Sequence, residues 1–402
     1  MRIPFPESLH TSLKANKTFR PSGLAALYLF GLAARAAGLP LVSIDMTGYL
    51  IPWYDTLARQ GFSALSQSFS NYTPPYLYLL WLVTLTQAFI PKIIGIKLLS
   101  VAFDLLNTFM VFRIVKLKVP QGFVAHWSAA IFWALPTIIL NSAWWGQADA
   151  VFTFFLLLSL YSLLKERPLA AVLLFGIAFA IKAQAIFLAP FLLLLALKKR
   201  IPWFYFLLAP LVYLILMLPA VAAGRPLLDT LTVYWGQANT YKHPSAMAPN
   251  LYLFIPGSLY APTVIGGLAA AALLMFAWVF FYARKIQSFT PGTLLLCAAG
   301  SAVAMPYILP LMHERYFYLA DILIFLLAFY LPSLWMFPLA SQIVSILTYS
   351  VFLFPLYDQN QVLAVLMVAA AIIINTLLVT YLLRKQYQLI REERITDYPT
   401  AS

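Results

Sequence analysis

Long apolar runs recur along the chain from Ser22 to Leu383, each ended by a short polar or basic stretch. A run of ~20 apolar residues makes about 30 Å of helix, the thickness of a bilayer's hydrocarbon core. The breaks predict helical spans at 22–41, 93–115, 123–142, 148–164, 168–181, 184–198, 202–221, 262–283, 290–311, 316–331, 334–355 and 361–383. The plan is an all-α polytopic membrane protein of about twelve transmembrane helices. Basic clusters punctuate the runs at Arg113/Lys116/Lys118, Lys165/Arg167, Lys198/Lys199/Arg200, Arg284/Lys285 and Arg384/Lys385. Lys and Arg collect on the cytoplasmic side of membrane helices. The clusters therefore mark inner ends, and the basic tail 1–21 and the tail 384–402 fall inside as well.

Clusters on one side force the intervening spans to come in pairs. Between Lys165 and Lys198 the apolar sequence is interrupted only by Lys182-Ala183-Gln184. Two short helices of about fourteen residues, roughly 21 Å each, satisfy the pairing. Lys182 and Gln184 then sit at an outer tip. The same parity makes Pro75–Ile90 dip into the outer leaflet without crossing, although it is apolar enough to span. Two long outer loops remain, 42–92 and 222–261. No soluble domain or linker breaks the chain, so 1–402 reads as a single integral membrane domain.

Composition agrees with this class. The 402 residues are 63% hydrophobic and 10% charged, with a mean hydropathy of +0.86. A water-soluble domain carries about 45–50% apolar and about 25% charged residues. The net charge of +13 is accounted for by cytoplasmic anchoring and calls for no nucleic-acid partner. The single cysteine, Cys297, lies in an apolar run as packing filler and forms no intramolecular disulfide. No cleavable signal pattern precedes the first span, and no retrieval or lipidation signal ends the chain.

Charge within such a chain is costly and usually faces a cavity or a partner. The topology sends one set of polar residues outward: Asp45, Trp144-Trp145-Gly146-Gln147-Ala148-Asp149, Lys182/Gln184, Tyr234-Trp235-Gly236-Gln237-Ala238-Asn239 and His313-Glu314-Arg315. Aromatic faces with amides and carboxylates suit a sugar. Arg and Lys suit a phosphate, with Arg able to bind it through two parallel hydrogen bonds. A membrane enzyme using a sugar on a lipid phosphate needs both, and a carboxylate base. Segment Tyr49–Gln60 adds an amphipathic helix, with Tyr49, Leu50, Trp53, Tyr54 and Leu57 on one face and Asp55 and Arg59 on the other. It reads as an interfacial helix on the outer leaflet.

Ile44-Asp45-Met46, Asn71-Tyr72-Thr73-Pro74-Pro75, Phe103-Asp104-Leu105, Trp144–Asp149, Lys182-Ala183-Gln184 and His313-Glu314-Arg315-Tyr316 occur in this order over residues 20–330. In that order the chain resembles the GT-C class of integral membrane glycosyltransferases, in particular relatives of the second mannosyltransferase of GPI-anchor synthesis. The resemblance implies a polyprenyl- or dolichyl-phosphate hexose donor, mannose foremost, and inverting transfer to a lipid or glycan hydroxyl on the extracytoplasmic face. It implies Asp45 as the catalytic base or acceptor-binding acid. An inverting transfer needs such a base and stabilisation of the departing phosphate. Donor phosphate is expected on Arg315, His313 and Lys182, and sugar or acceptor on Trp144, Trp145, Gln147, Asp149 and Glu314. No nucleotide-binding glycine fingerprint is present.

Two positions depart from the family pattern. Ala183 stands where relatives often carry Pro, and Ile44 rather than an acid precedes Asp45. No cofactor is therefore firmly implied, and a divalent metal stays open. Pro74 after Asn71-Tyr72-Thr73 makes a doubtful glycosylation sequon that does not argue for a eukaryotic lumen, and a prokaryotic plasma membrane is expected over the endoplasmic reticulum. Structural readings compete at several sites. Asp104, in mid-span, suits a buried partner for Arg35 or Lys182. Glu314 can pair with Arg315 or Lys182, Trp144 and Trp145 can be interface-belt aromatics, and Asp321 can be a polar contact between helices. A flippase of lipid-linked sugars, or a polymerase or ligase of lipid-linked glycans, remains the alternative function.

Overall fold

A computed structural model describes residues 21–238, 242–354 and 356–396. The basic tail 1–20, Asn239 of the second loop and Asp397 to Ser402 lie outside the described residues, as do the side chains of Asp358, Glu393 and Arg394. The described chain is helical except for one pair of two-residue parallel strands, Ser245–Ala246 and Met312–His313. Six helices are long and apolar enough to cross a membrane: Lys92–Lys118, Trp203–Ala222, Gly257–Lys285, Pro291–Ile308, Pro332–Leu353 and Gln361–Glu392. A bent pair, Val124–Trp133 and Pro136–Trp145, makes a seventh if counted as one span. The chain is thus a multi-pass transmembrane helical protein.

Helices also occupy the other predicted segments: the first helix is Pro21–Gly38, of 18 residues, and the rest are shorter. Asp149–Leu164, Pro168–Ile181 and Ala183–Leu197 fall in the range of 10–17 residues, and Tyr318–Tyr330 has 13. The expected single span at 123–142 is broken, its halves meeting at 48°. Pro136 supplies the reason, since it lacks an N–H and pushes Leu135 out of helical geometry; Leu135 is extended, with ψ 131°. The last helix runs on past the expected end at 383 to Thr396. Pro74–Thr84 has 11 residues, about 16 Å of helix, too short to cross. Lys92, just beyond it, grips Asp55 of the first loop through both carboxylate oxygens at 3.0 Å. Asp55 therefore answers Lys92 rather than its helical neighbour Arg59.

Contacts divide the chain into two compact units, Met1–Ala185 with Phe204–Tyr241, and Ile186–Trp203 with Lys242–Ser402. In the first unit the Asp149–Leu164 and Pro168–Ile181 helices form a tight antiparallel hairpin. Glu166 takes left-handed geometry (φ 57°) at the turn, and Pro168 opens the return helix where its missing N–H costs nothing. Gly176 lets that helix approach Leu208–Ala222; a Cβ there would stand 3.1 Å from the Ala209 Cα. The amphipathic helix Ile51–Gln60 buries Trp53, Tyr54 and Leu57. Trp53 packs against Tyr72 with ring centroids 5.0 Å apart, so part of its apolar face meets protein.

Arg35 of the first helix and Asp104 are both buried and joined at 2.8 Å. Ser142 donates to the same Asp104 oxygen at 2.6 Å. The second unit centres on Pro291–Ile308 and Tyr318–Tyr330, most of whose residues are buried. Asp321 accepts a hydrogen bond from Ser341 of Met336–Leu353, a polar tie between helices as its position suggested. Gln386 donates to the buried Cys297 Sγ at 3.4 Å.

Candidate active site

In the first unit, Asp45 stands immediately before a π-helical turn, Met46–Leu50, and is half-buried. Its Oδ2 accepts two hydrogen bonds, from the Trp145 indole N–H at 3.0 Å and the Gln147 amide at 2.6 Å. Both donors flank Gly146, which is left-handed (φ 83°) and ends the π-helical turn Leu140–Trp145. Only glycine adopts this geometry at low cost. A Cβ there would also stand 3.2 Å from the Met46 Sδ. The reversal at Gly146 lets residues on either side of it reach one carboxylate.

Lys97 holds this arrangement together. It is fully buried, and its ammonium donates to the carbonyls of Gly38 (2.8 Å), Leu41 (2.6 Å) and Trp144 (2.9 Å). Those three bonds use all of its hydrogens. They tie the exit of the first helix, which leads to Asp45, to the turn that carries the Asp45 donors. Ser43 donates to the Trp145 carbonyl at 2.9 Å, and Ser100 to the Gln147 carbonyl at 2.6 Å. Trp144 points elsewhere. Its indole donates to the Ala34 carbonyl at 3.0 Å, and its ring lies where a Cβ on Gly38 would come within 2.3 Å.

Asp149 and Lys182 form a second, deeper cluster in the same unit. Lys182 breaks helical geometry after Ile181 (φ −153°, ψ 132°), and its ammonium meets Asp149 Oδ1. Asn141 donates to Asp149 Oδ2 at 2.9 Å. The ammonium also lies 5.6 Å from the Tyr72 ring and 5.8 Å from the Phe152 ring, within cation–π range. Tyr76 packs on Tyr72 with centroids 5.0 Å apart. Burial pushes its phenol well up, with Tyr72 and Asp149 adding to the shift, so it stays protonated. The Tyr76 hydroxyl, Asn141 Oδ1 and Thr153 Oγ1 are buried and meet no partner among the described residues. Such atoms cost free energy unless something hydrogen-bonds them.

The second unit carries His313, Glu314 and Arg315. His313 belongs to the short strand, with Ala246 opposite it, and its ring lies 5.1 Å from Tyr316. Glu314 is buried and accepts from Arg315 Nη1 at 3.0 Å, the first of the two pairings open to it. Leu311 precedes the strand in left-handed geometry (φ 64°) and donates to the Pro244 carbonyl at 2.8 Å. The segment from Pro244 to Ala246 therefore clamps the base of this tripeptide. Among the described residues no three His, Cys, Asp or Glu side chains gather where they could hold a metal ion.

Of the expected site residues, Asp45, Trp145 and Gln147 come together directly, and Asp149 pairs with Lys182. Trp144 is committed to the first helix. His313, Glu314 and Arg315 stay together in their own unit. The sequence reading passed over Lys97, Ser43, Asn141 and Tyr76. Lys97 could have been found, because a cation inside an apolar helix is costly and marks a partner. No family model matches this chain, and no curated protein matches it either.

Proposed function

We propose that the chain is a GT-C-type membrane glycosyltransferase that moves a hexose, most simply mannose, from a polyprenyl-phosphate donor to an acceptor hydroxyl at the extracytoplasmic face. The observation that carries this reading is the Asp45 carboxylate. It is half-exposed, stands just past the first helix, and is held in one orientation by two neutral N–H donors. A base that must take a proton from an attacking hydroxyl needs this kind of fixed aim. The buried Tyr76, Asn141 and Thr153 atoms around Asp149 add support, because a polyhydroxylated ligand supplies the partners that they lack.

In this reading Asp45 removes the acceptor proton as the C1–O bond to phosphate breaks with inversion. Trp145 and Gln147 aim the carboxylate rather than stack on the sugar. The phosphate leaves with its negative charge, which a cation must stabilise. Lys182 enters as the ion-pair partner that orients Asp149 toward sugar hydroxyls. The full reading takes all twelve helical segments as spans in paired short and long helices.

Asp45→Asn tests it. Asparagine keeps an oxygen for both donors, so the fold and donor binding persist while the base is lost. Turnover with polyprenyl-phosphate mannose should fall by about 100-fold or more, the scale of general-base catalysis. Release of polyprenyl phosphate at a near-normal rate by Asp45→Asn would refute the assignment.

A further inference from the structure

Among the described residues four cations are buried: Arg35, Lys97, Lys182 and Arg225. Three of them are satisfied in full view. Arg35 has Asp104 and two carbonyls. Lys97 has its three carbonyls, and Lys182 has Asp149. Arg225 differs. It is 3% exposed, yet its Nε meets no acceptor among the described residues. No carboxylate reaches ion-pair distance of it there either.

Arg225 lies just past the Trp203–Ala222 helix, where its own N–H caps that helix on the Ala220 carbonyl at 3.0 Å. Gly224 before it is left-handed (φ 112°) and brings the chain against Ser66, 3.5 Å from where a Cβ would stand. The groups in its field are Asp229, Tyr213 and Tyr78. None of them supplies the missing charge at contact. Asp229 is exposed. The Tyr78 hydroxyl donates to the Leu216 carbonyl at 3.0 Å and accepts from the Ala220 N–H at 3.2 Å. Its phenol is pushed up to about 12, chiefly by burial, and stays neutral. The Tyr213 hydroxyl is directed at the Thr230 carbonyl at 3.4 Å. Burial pushes the Arg225 guanidinium down, the direction for a charge short of a close partner.

A buried charge without a partner is strongly destabilising, and a guanidinium offers five donors in a planar fork that matches phosphate oxygens. We propose that Arg225 anchors an anion site, separate from the Asp45 and Asp149 clusters, that takes a phosphate group. A phosphodiester of a lipid headgroup and free inorganic phosphate present the same oxygens to the fork. The position at the end of a membrane helix suits either source. The site does not depend on the glycosyltransferase reading, since its binding is measured without turnover.

The test uses full-length protein, as wild type and Arg225→Gln. One arm measures retention of phosphatidylglycerol by native mass spectrometry, and the other measures binding of inorganic phosphate by equilibrium dialysis. The expected result is a loss of about tenfold or more in affinity for Arg225→Gln, the scale of hydrogen bonds to a charged group. A loss in the phosphatidylglycerol arm identifies a lipid headgroup, and a loss only in the phosphate arm identifies free phosphate. Equal binding by both proteins in both arms overturns the proposal. Asp229→Asn covers the case in which Arg225→Gln does not fold. Removing that nearby negative charge should tighten the same anion severalfold, and unchanged or weaker binding in both arms overturns the proposal.

Discussion

At the scale of single residues, the candidate site depends on aim more than on the number of charges. Trp145 is fully buried and offers Asp45 one indole N–H at 3.0 Å. Trp145→Phe keeps most of the bulk and removes only that donor. We expect turnover to fall by about tenfold, in line with one hydrogen bond to a charged group, with the Michaelis constant for donor little changed. A loss confined to the Michaelis constant would instead make Trp145 a binding residue. Asp45 itself was legible from its position after the first apolar run. The donors were legible only as a polar patch, because nothing in Trp144-Trp145-Gly146-Gln147 says which indole turns inward. That choice is made by Gly146, whose left-handed backbone places Trp145 and Gln147 on Asp45 and leaves Trp144 to the first helix. Arg35 and Asp104 were easier, since each needs a partner in an apolar layer and the opposite charge was available.

At the scale of elements, the first helix docks through its glycines. A Cβ on Gly31 would stand 2.4 Å from Trp133 Cδ1, and one on Gly38 would stand 2.3 Å from Trp144 Cδ1. Membrane helices associate by such close packing, without a hydrophobic drive between them. Gly31→Ala should therefore lower the thermal unfolding midpoint of the purified protein by several degrees. Gly48→Ala, where nothing lies within 4 Å, should leave it unchanged or raise it. Equal behaviour of the two variants would show that the first helix is loosely seated. The helical segments were readable from hydropathy because apolar runs and basic breaks alternate so regularly. Their lengths were less readable. The 48° break follows from Pro136, but the π-helical turns at Met46–Leu50 and Leu140–Trp145 depend on tertiary hydrogen bonds that no local pattern carries.

At the scale of the whole molecule, the open quantity is sidedness. Hydropathy and length alone support six spans, or seven with the bent pair, whereas the positive-inside pairing asks for all twelve segments to cross. The deciding segment is Pro168–Ile181 followed by Ala183–Leu197. Together they either form two short spans or one interrupted one. The chain's single cysteine, Cys297, is buried, so a Cys297→Ala background gives a clean start for labelling. Arg59, Glu166 and Lys199 are exposed and lie before, at the near end of, and beyond that segment. If the two short helices pair, cysteines at 166 and 199 share the cytoplasmic side, and a membrane-impermeant maleimide applied to intact cells labels only the cysteine at 59. Were the segment a single span, 166 and 199 would react from opposite sides. External labelling at 199 with protection at 166 would remove the paired topology, and with it the outward placement of Lys182 on which the proposed substrate-facing role of the Asp149 cluster depends.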